Sequence, residues 1–506
     1  MAVATRSRTR FPVPGRGGQA PAVPARGALA AIVLLGVVIR FPTLGQQSFW
    51  FDEAVTHGIV AHGLAHVISS IPRTESTPPL YYVLVWLWSR VFGLSEAGLR
   101  SFSALCGTLL IPVMWSLGRR LVSERVGLVA ALLTAINPFL VWYSQEARSY
   151  ALLTLLCAAT LLALVHVLES PTRRRLLAWS LLCALALCAH YFAAIVIVPE
   201  AVWLLVALRR QGRLDGTSLL LSLGPIALMA AALAPLAIHQ NDGRANYIAL
   251  YSGSLPYRLA QFIKQDIVGF AQPIKIVLSL VGRLLVALAG WLLLWRTSRR
   301  ERSAVAMPLA VALAGVVLTV LTAVLVTDYV NTRNLLPTWP ALAVVVGTGF
   351  GAARAGRLGL VGLAALSALS VGCITSVIVV PGYHRDDWRG AARALGPATA
   401  PRAIVSDVVA NDSLAPYARG VSLYPPAGMP IREADVIWLD RHALDSPLPP
   451  VSTLPALPGF TISQRIKTDS YIVIRYRSPA PRFEPPPALM QLYPNRFSVM
   501  ALAQRP

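Results

Sequence analysis

Asp52 and Glu53 stand side by side directly after three aromatic residues, Phe49, Trp50 and Phe51, a few positions beyond the first long apolar stretch of the chain. Aromatics of this kind hold a backbone at a membrane–water interface, so the two carboxylates sit where lipid headgroups and aqueous hydroxyls meet. A partly buried carboxylate at that depth can take the proton of an attacking hydroxyl. The same position also suits Asp52 to capping the helix that follows, and the sequence leaves both roles open. Arg100 enters the next apolar stretch, Glu146 and Arg148 share a very short connection in NPFLVWYSQEARSYALL, and Arg333 lies in DYVNTRNLLP. A guanidinium is a two-pronged fork that suits a phosphate oxyanion, although an arginine at a helix end also snorkels to the interface without any ligand. Arg258 and Lys264, in the stretch 239–275, extend the basic set. The chemistry implied is proton abstraction beside a bound phosphate.

His57, His62 and His66 follow the acidic pair, with 62 and 66 one helical turn apart. They invite a metal reading. The chemistry does not demand one, because arginines alone can stabilise a phosphate leaving group, so no metal and no other cofactor is expected.

These residues need a scaffold, and composition says which. The chain has 506 residues, 55% of them hydrophobic and 13% charged, with a mean hydropathy of +0.59. Long uncharged runs recur, so the bilayer is the natural solvent. The net charge of +22 suggests nucleic acid until its distribution is read. The arginines fall in short clusters between apolar runs, the pattern of topology determinants, and no nucleic-acid partner is expected. Cys106, Cys157, Cys183, Cys188 and Cys373 all lie in apolar runs and read as small buried hydrophobes.

Eleven membrane spans are expected, near 27–44, 97–118, 126–143, 150–168, 176–190, 192–208, 217–238, 276–296, 303–327, 335–352 and 358–380. Parity supports that count. With the N-terminus inside, Arg119, Arg120 and Arg125, then Arg173 to Arg175, Arg209, Arg210 and Arg213, then Arg296 to Arg302, and Arg354 with Arg357 all land on one side. The run 80–93 is too short to count and reads as a helix in the interface plane. Residues 1–26 form a basic, disordered cytoplasmic tail, and the first span has no A-x-A-like cleavage site, so it is expected to be retained. The outer side then receives 45–96, 144–149, 239–275, 328–334 and everything after 380. Strand-like runs at 403–407, 435–440 and 471–476 predict a small α/β domain over 381–480, followed by a Pro-rich tail, 481–506.

At FWFDEAVT, TPPLYY with SEAGLRSFSAL, NPFLVWYSQEARSYALL, TRNLLPTWPAL and DDWRGAARAL the sequence resembles the GT-C type membrane glycosyltransferases. The nearest branch is the family-39-like one of protein O-mannosyltransferases and the lipid A aminoarabinose transferase. The resemblance covers most of residues 27–395 and implies a GT-C fold of about 11 transmembrane helices in the module 27–380, with a small C-terminal α/β extracytoplasmic domain. It implies a polyprenyl-monophosphate sugar donor and inverting transfer to an extracytoplasmic acceptor, with Asp52, beside Glu53, as general base. Donor-phosphate contacts carry over to Arg100, Arg148 and Arg333, and supporting contacts to Glu146, Tyr81, Tyr82 and Arg73. The family often carries His or Lys before the proline pair; this chain has Thr77, and Arg73 is the substitute in reach.

The expected protein is therefore a plasma-membrane mannosyl- or pentosyltransferase of cell-envelope assembly, whose partners are the lipid-linked donor, membrane lipids and a glycan, lipid or protein acceptor. The competing readings are a lipid-linked substrate transporter and a non-catalytic assembly protein of the same fold. A transporter should pair ionisable residues near the bilayer midplane in broken helices. Glu200 and Arg283 are such residues, in different spans, and Pro225 and Pro235 interrupt one span.

Overall fold

The computed structural model describes residues 23–241, 253–270, 274–439, 448, 450–493 and 498–506. Most of the basic stretch 1–26 and part of 239–275 therefore lie outside the described residues. The chain divides into two compact units. One is built from the N-terminal segment to Pro42, Ile68–Leu84 and Arg100–Thr375; the other from Thr43–Val67, Val85–Leu99 and Ser376–Pro506.

The first unit is a helical membrane body. Among the described residues seven helices are long and apolar enough to cross a bilayer: Glu96–Leu121, Tyr150–Glu169, Tyr191–Arg210, Gly216–Asn241, Lys275–Trp295, Arg299–Leu325 and Ala353–Val379. Glu124–Ile136 and Pro138–Ser144 make an eighth if their bent pair is one span. The other three expected spans fall on shorter helices, Val23–Arg40, Arg173–Ala189 and Trp339–Gly351, of 18, 17 and 13 residues. The helix Leu80–Phe92 has 13 residues. At about 1.5 Å per residue it reaches roughly 20 Å, too little to cross the hydrocarbon layer. The bundle core gathers around Met114, Phe139, Leu153, Trp179 and Trp339.

Glu200 and Arg283 each find local partners. Glu200 is buried and accepts from the Trp179 indole (3.0 Å) and the Thr160 hydroxyl (3.1 Å), while Arg283 contacts Ser279 on its own helix (2.6 Å). Each polar group is thus matched locally, as a low-dielectric interior requires.

The bend in the pair Glu124–Ile136 and Pro138–Ser144 is 58°. Pro138 brings no N–H to the carbonyl of Thr134, so that acceptor needs another donor. Arg40, fully buried, supplies it: its guanidinium donates to the carbonyls of Thr134 (3.0 Å) and Ala135 (2.7 Å) and to Ser144 Oγ (3.2 Å). Asn137 caps the second helix, accepting from the Leu140 N–H at 2.9 Å. An Arg40→Met protein is expected to lose about 2–4 kcal/mol, because buried carbonyls are left without donors. Its melting temperature in detergent should fall by several degrees, and an unchanged melt would remove Arg40 from this role.

The second unit contains a six-stranded mixed sheet. Its strands are β1 (Arg402–Asp407), β2 (Val421–Leu423), β3 (Met429–Trp438), β4 (Thr461–Lys467), β5 (Ile472–Glu484) and β6 (Val499–Gln504), in the order β2-β6-β1-β3-β5-β4. Only β1 and β3 run parallel; the other neighbours are antiparallel. The three runs expected as strands lie within or against β1, β3 and β5. The expected tail 481–506 needs correction. Its apolar run β6 pairs along the whole of β1, with Leu502 opposite Ile404, and lies inside the sheet. Apolar side chains cover both faces, one around Tyr476 and Val436, the other around Trp388 and Leu414.

Candidate active site

In the second unit the acidic segment is clamped from several directions. The Phe49 N–H donates to the Tyr417 hydroxyl (2.7 Å), which donates to Glu96 (2.8 Å). Arg389 bridges Glu96 (3.1 Å) and the carbonyls of Gln46 (2.8 Å) and Gly45 (3.2 Å). Ser48 donates to the carbonyl of Asp386 (2.7 Å), and Gln47 accepts from the Arg385 N–H (2.9 Å). The motif DDWRG and the glutamate of SEAGLR thus act as a brace for FWFDEA. Glu96, Tyr417 and Arg389 are the residues that sequence reasoning missed here.

The brace delivers the helix Phe51–Val60, with both acids in its first turn, where the positive end of the helix favours them. The two carboxylates then differ. Glu53 is fully buried and reaches back to the Trp50 N–H at 3.4 Å. Trp50 is the N-cap, so Asp52 is not, and Asp52 stays partly exposed. His57, partly buried, has its pKa lowered by that burial. The rings of His62 and His66 lie 4.4 Å apart. Among the described residues no group of three or more His, Cys, Asp or Glu is arranged to hold a metal ion.

In the first unit a charged and aromatic cluster collects on the turns between helices. Arg148 and Glu75 form a two-pronged buried ion pair, Nη1 to Oε1 at 2.9 Å and Nη2 to Oε2 at 2.8 Å. Arg148 also lies over the Tyr82 ring, 5.9 Å from its centre. The Tyr82 and Thr77 hydroxyls are 3.0 Å apart, and burial raises the Tyr82 pKa, keeping it neutral. Tyr81, equally buried, stands edge-on to Tyr82, with its hydroxyl 3.4 Å from Ser103 Oγ; that hydroxyl in turn is 3.3 Å from the Arg148 carbonyl. Arg100 is buried one turn before Ser103 on the same helix. Arg333, half-buried, lies over Tyr150 (5.8 Å), and Tyr150 stands 5.5 Å from the His190 ring.

Gln240 fixes the segment before the proline pair. Its amide donates to the carbonyls of Ile71 (3.1 Å) and Thr77 (3.3 Å) and accepts from Tyr191 (2.9 Å). Glu75 and Gln240 carried no signal in the sequence, since their partners are remote in the chain.

Two expectations for basic residues change. Arg148 presents both terminal nitrogens to Glu75, so the charge it would bring to a phosphate is already matched. Arg258 is buried, lies on the helix Leu255–Val268 and not in a loop, and forms an ion pair with Asp328; Lys264 contacts Gln261 at 3.2 Å. Arg73 is exposed at the end of the helix Leu64–Thr74, and Glu146 is buried in the turn beside Arg148. The cluster's other two arginines are Arg100, buried, and Arg333, half-buried.

His190 sits in the turn after the helix Arg173–Ala189, and its pKa is lowered to about 3 by burial, then by the charges of Arg148 and Arg333. It is neutral at every working pH. Because the folded value lies below the unfolded one, stability is full above about pH 6.5 and falls as pH drops toward 3, by up to about 1.4 kcal/mol per unit. Melting curves between pH 7.5 and 5 should show that slope, and His190→Gln should flatten it; equal slopes would remove His190 as its source.

Residues 76–238 match the family model described as dolichyl-phosphate-mannose-protein mannosyltransferase. No curated protein matches the sequence. The fold is similar to that of ArnT from Cupriavidus metallidurans in the apo state, with a TM-score of 0.52 at 14% identity over 89% of this chain and 98% of that one. ArnT from the same organism bound to undecaprenyl phosphate gives a TM-score of 0.53 at 13% identity over the same shares. The family match thus lies on residues 76–238, and the fold is similar to that of ArnT.

Proposed function

We propose that the protein moves a sugar, mannose or a pentose, from a polyprenyl-monophosphate donor to a glycan, lipid or protein acceptor on the extracytoplasmic side of the plasma membrane. The N-terminus is cytoplasmic in this reading and the sheet domain is outside, as the one-sided arginine clusters imply. The observation that carries the proposal is the half-buried Arg333 over Tyr150, beside the neutral His190 and the matched Arg148–Glu75 pair. A half-buried guanidinium of this kind can pair with an anionic ligand such as a phosphate.

The acceptor oxygen attacks the anomeric carbon from the face opposite the phosphate, and its proton passes to the Asp52 carboxylate. The bond from that carbon to the phosphate oxygen breaks, and the polyprenyl phosphate leaves with the electron pair. The anomeric configuration inverts. Arg333 and Arg100 stabilise the charge that builds on the leaving phosphate. Arg148 holds Glu75 and Tyr82, Gln240 holds the segment before the proline pair, and Tyr81 and Glu146 take supporting roles.

The test supplies the full-length protein in membranes with radiolabelled polyprenyl-phosphate mannose and, separately, a polyprenyl-phosphate pentose. Label should move from the lipid fraction to an acceptor with one of the two. If neither donor is consumed although each binds, the non-catalytic reading replaces this one.

A further inference from the structure

A groove of about 700 Å³ runs between the helices Val23–Arg40 and Glu96–Leu121, far from the cluster around Arg333 in the chain. Its floor is a single helical stripe that includes Leu29, Val33, Leu34 and Val37, and Leu34 is 63% exposed. Arg26 lies at one end of that stripe, and Arg119 faces it from the last turn of the antiparallel helix. The guanidinium of Arg119 is held over the Trp115 ring, 4.7 Å from its centre, and Trp115 also lines the groove.

The two ends of this groove call for different chemistry. Two arginines and an interfacial tryptophan form a headgroup-level anion site, since a guanidinium pairs well with a phosphate. The stripe beyond them, about two turns of partly exposed aliphatic side chains with Leu34 exposed, offers a soluble anion nothing. It suits an acyl chain. We propose that this groove binds an anionic glycerophospholipid of the leaflet facing the N-terminus, its phosphate between Arg26 and Arg119 and one acyl chain along Leu29, Val33 and Val37. The charge complementarity selects an anionic lipid over a zwitterionic one, and basic residues near a charged membrane surface contribute about a factor of five each. The occupant bridges the first helix to the helix that carries Arg100, and it is independent of the transfer reaction proposed above.

The test reconstitutes the full-length protein in phosphatidylcholine nanodiscs containing increasing fractions of phosphatidylglycerol brominated on its acyl chains, and follows tryptophan fluorescence. Quenching should have a saturable component at low phosphatidylglycerol fraction that brominated phosphatidylcholine does not reproduce. Trp115→Phe should remove that component. Arg26→Gln with Arg119→Gln should raise the half-saturating fraction about thirtyfold. Val33→Phe, which fills the groove, keeps both arginines and adds no tryptophan, should abolish it, so the proposal survives a double variant that fails to fold. Equal quenching by the two lipids would overturn it, leaving annular lipid only. Displacement by millimolar inorganic phosphate would also overturn it, by assigning the arginines to a free anion.

Discussion

Asp52→Asn is expected to lower transfer by about a hundredfold to ten thousandfold while leaving donor binding and thermal stability close to those of the parent protein. The magnitude is that of removing a general base from the transition state. Two adjacent acids divide the labour. Glu53 is fully buried and reaches the N-cap N–H of its own helix, so its carboxylate serves the backbone. Asp52 sits one residue earlier on the same turn, is not the cap, and remains partly exposed. Asparagine keeps the shape of that side chain and its favourable place near the helix N-terminus, but cannot accept a proton. Glu53→Gln should give the opposite pattern, a lower melting temperature with transfer reduced only in proportion to folded protein. Single-turnover kinetics separate the two. If Asp52→Asn kept full transfer, the base would have to be another group; if it lost donor binding as well, Asp52 would be holding the donor.

Much of this arrangement is legible in the sequence because a bilayer imposes long apolar runs, and runs of that length need no tertiary context to be seen. The eleven expected spans all fall on helices for that reason, although the helix at 339–351 is shorter than the apolar run that announced it. The acidic pair is legible because an aromatic run fixes its depth. The groups that position it are not. Tyr417 reaches Phe49 across 368 residues and Arg389 reaches Glu96 across 293, and nothing local in either segment announces the partner. The Arg148–Glu75 contact is hidden for the same reason, since the two residues lie 73 apart in the chain. Strand β6 is hidden differently: it follows a Pro-rich stretch, and a six-residue, mostly apolar run cannot be told from a tail until β1 is seen beside it.

Glu75→Gln is expected to cost about 3–5 kcal/mol of stability, the second-largest effect, because it strands the buried Arg148 charge. The side chains of the pair are only 8% and 3% exposed, so solvent cannot compensate either partner. Arg148→Gln should cost a similar amount by stranding the carboxylate. The double variant Glu75→Gln/Arg148→Gln removes both charges and should recover a large part of the sum, giving a coupling of about 2–3 kcal/mol in a double-mutant cycle of melting or denaturant unfolding. Its kinetics then decide what Arg148 does. If the Arg148 charge is matched by Glu75, as the two short contacts argue, the refolded double variant should bind the donor within about threefold of the parent. Arg333→Ala, which removes a half-buried cation held over Tyr150, should raise the donor KM by about tenfold to a hundredfold, the worth of a charge-assisted hydrogen bond. A double variant that regains stability yet binds donor as poorly as Arg333→Ala would return Arg148 to the phosphate and make Glu75 the group that orients it.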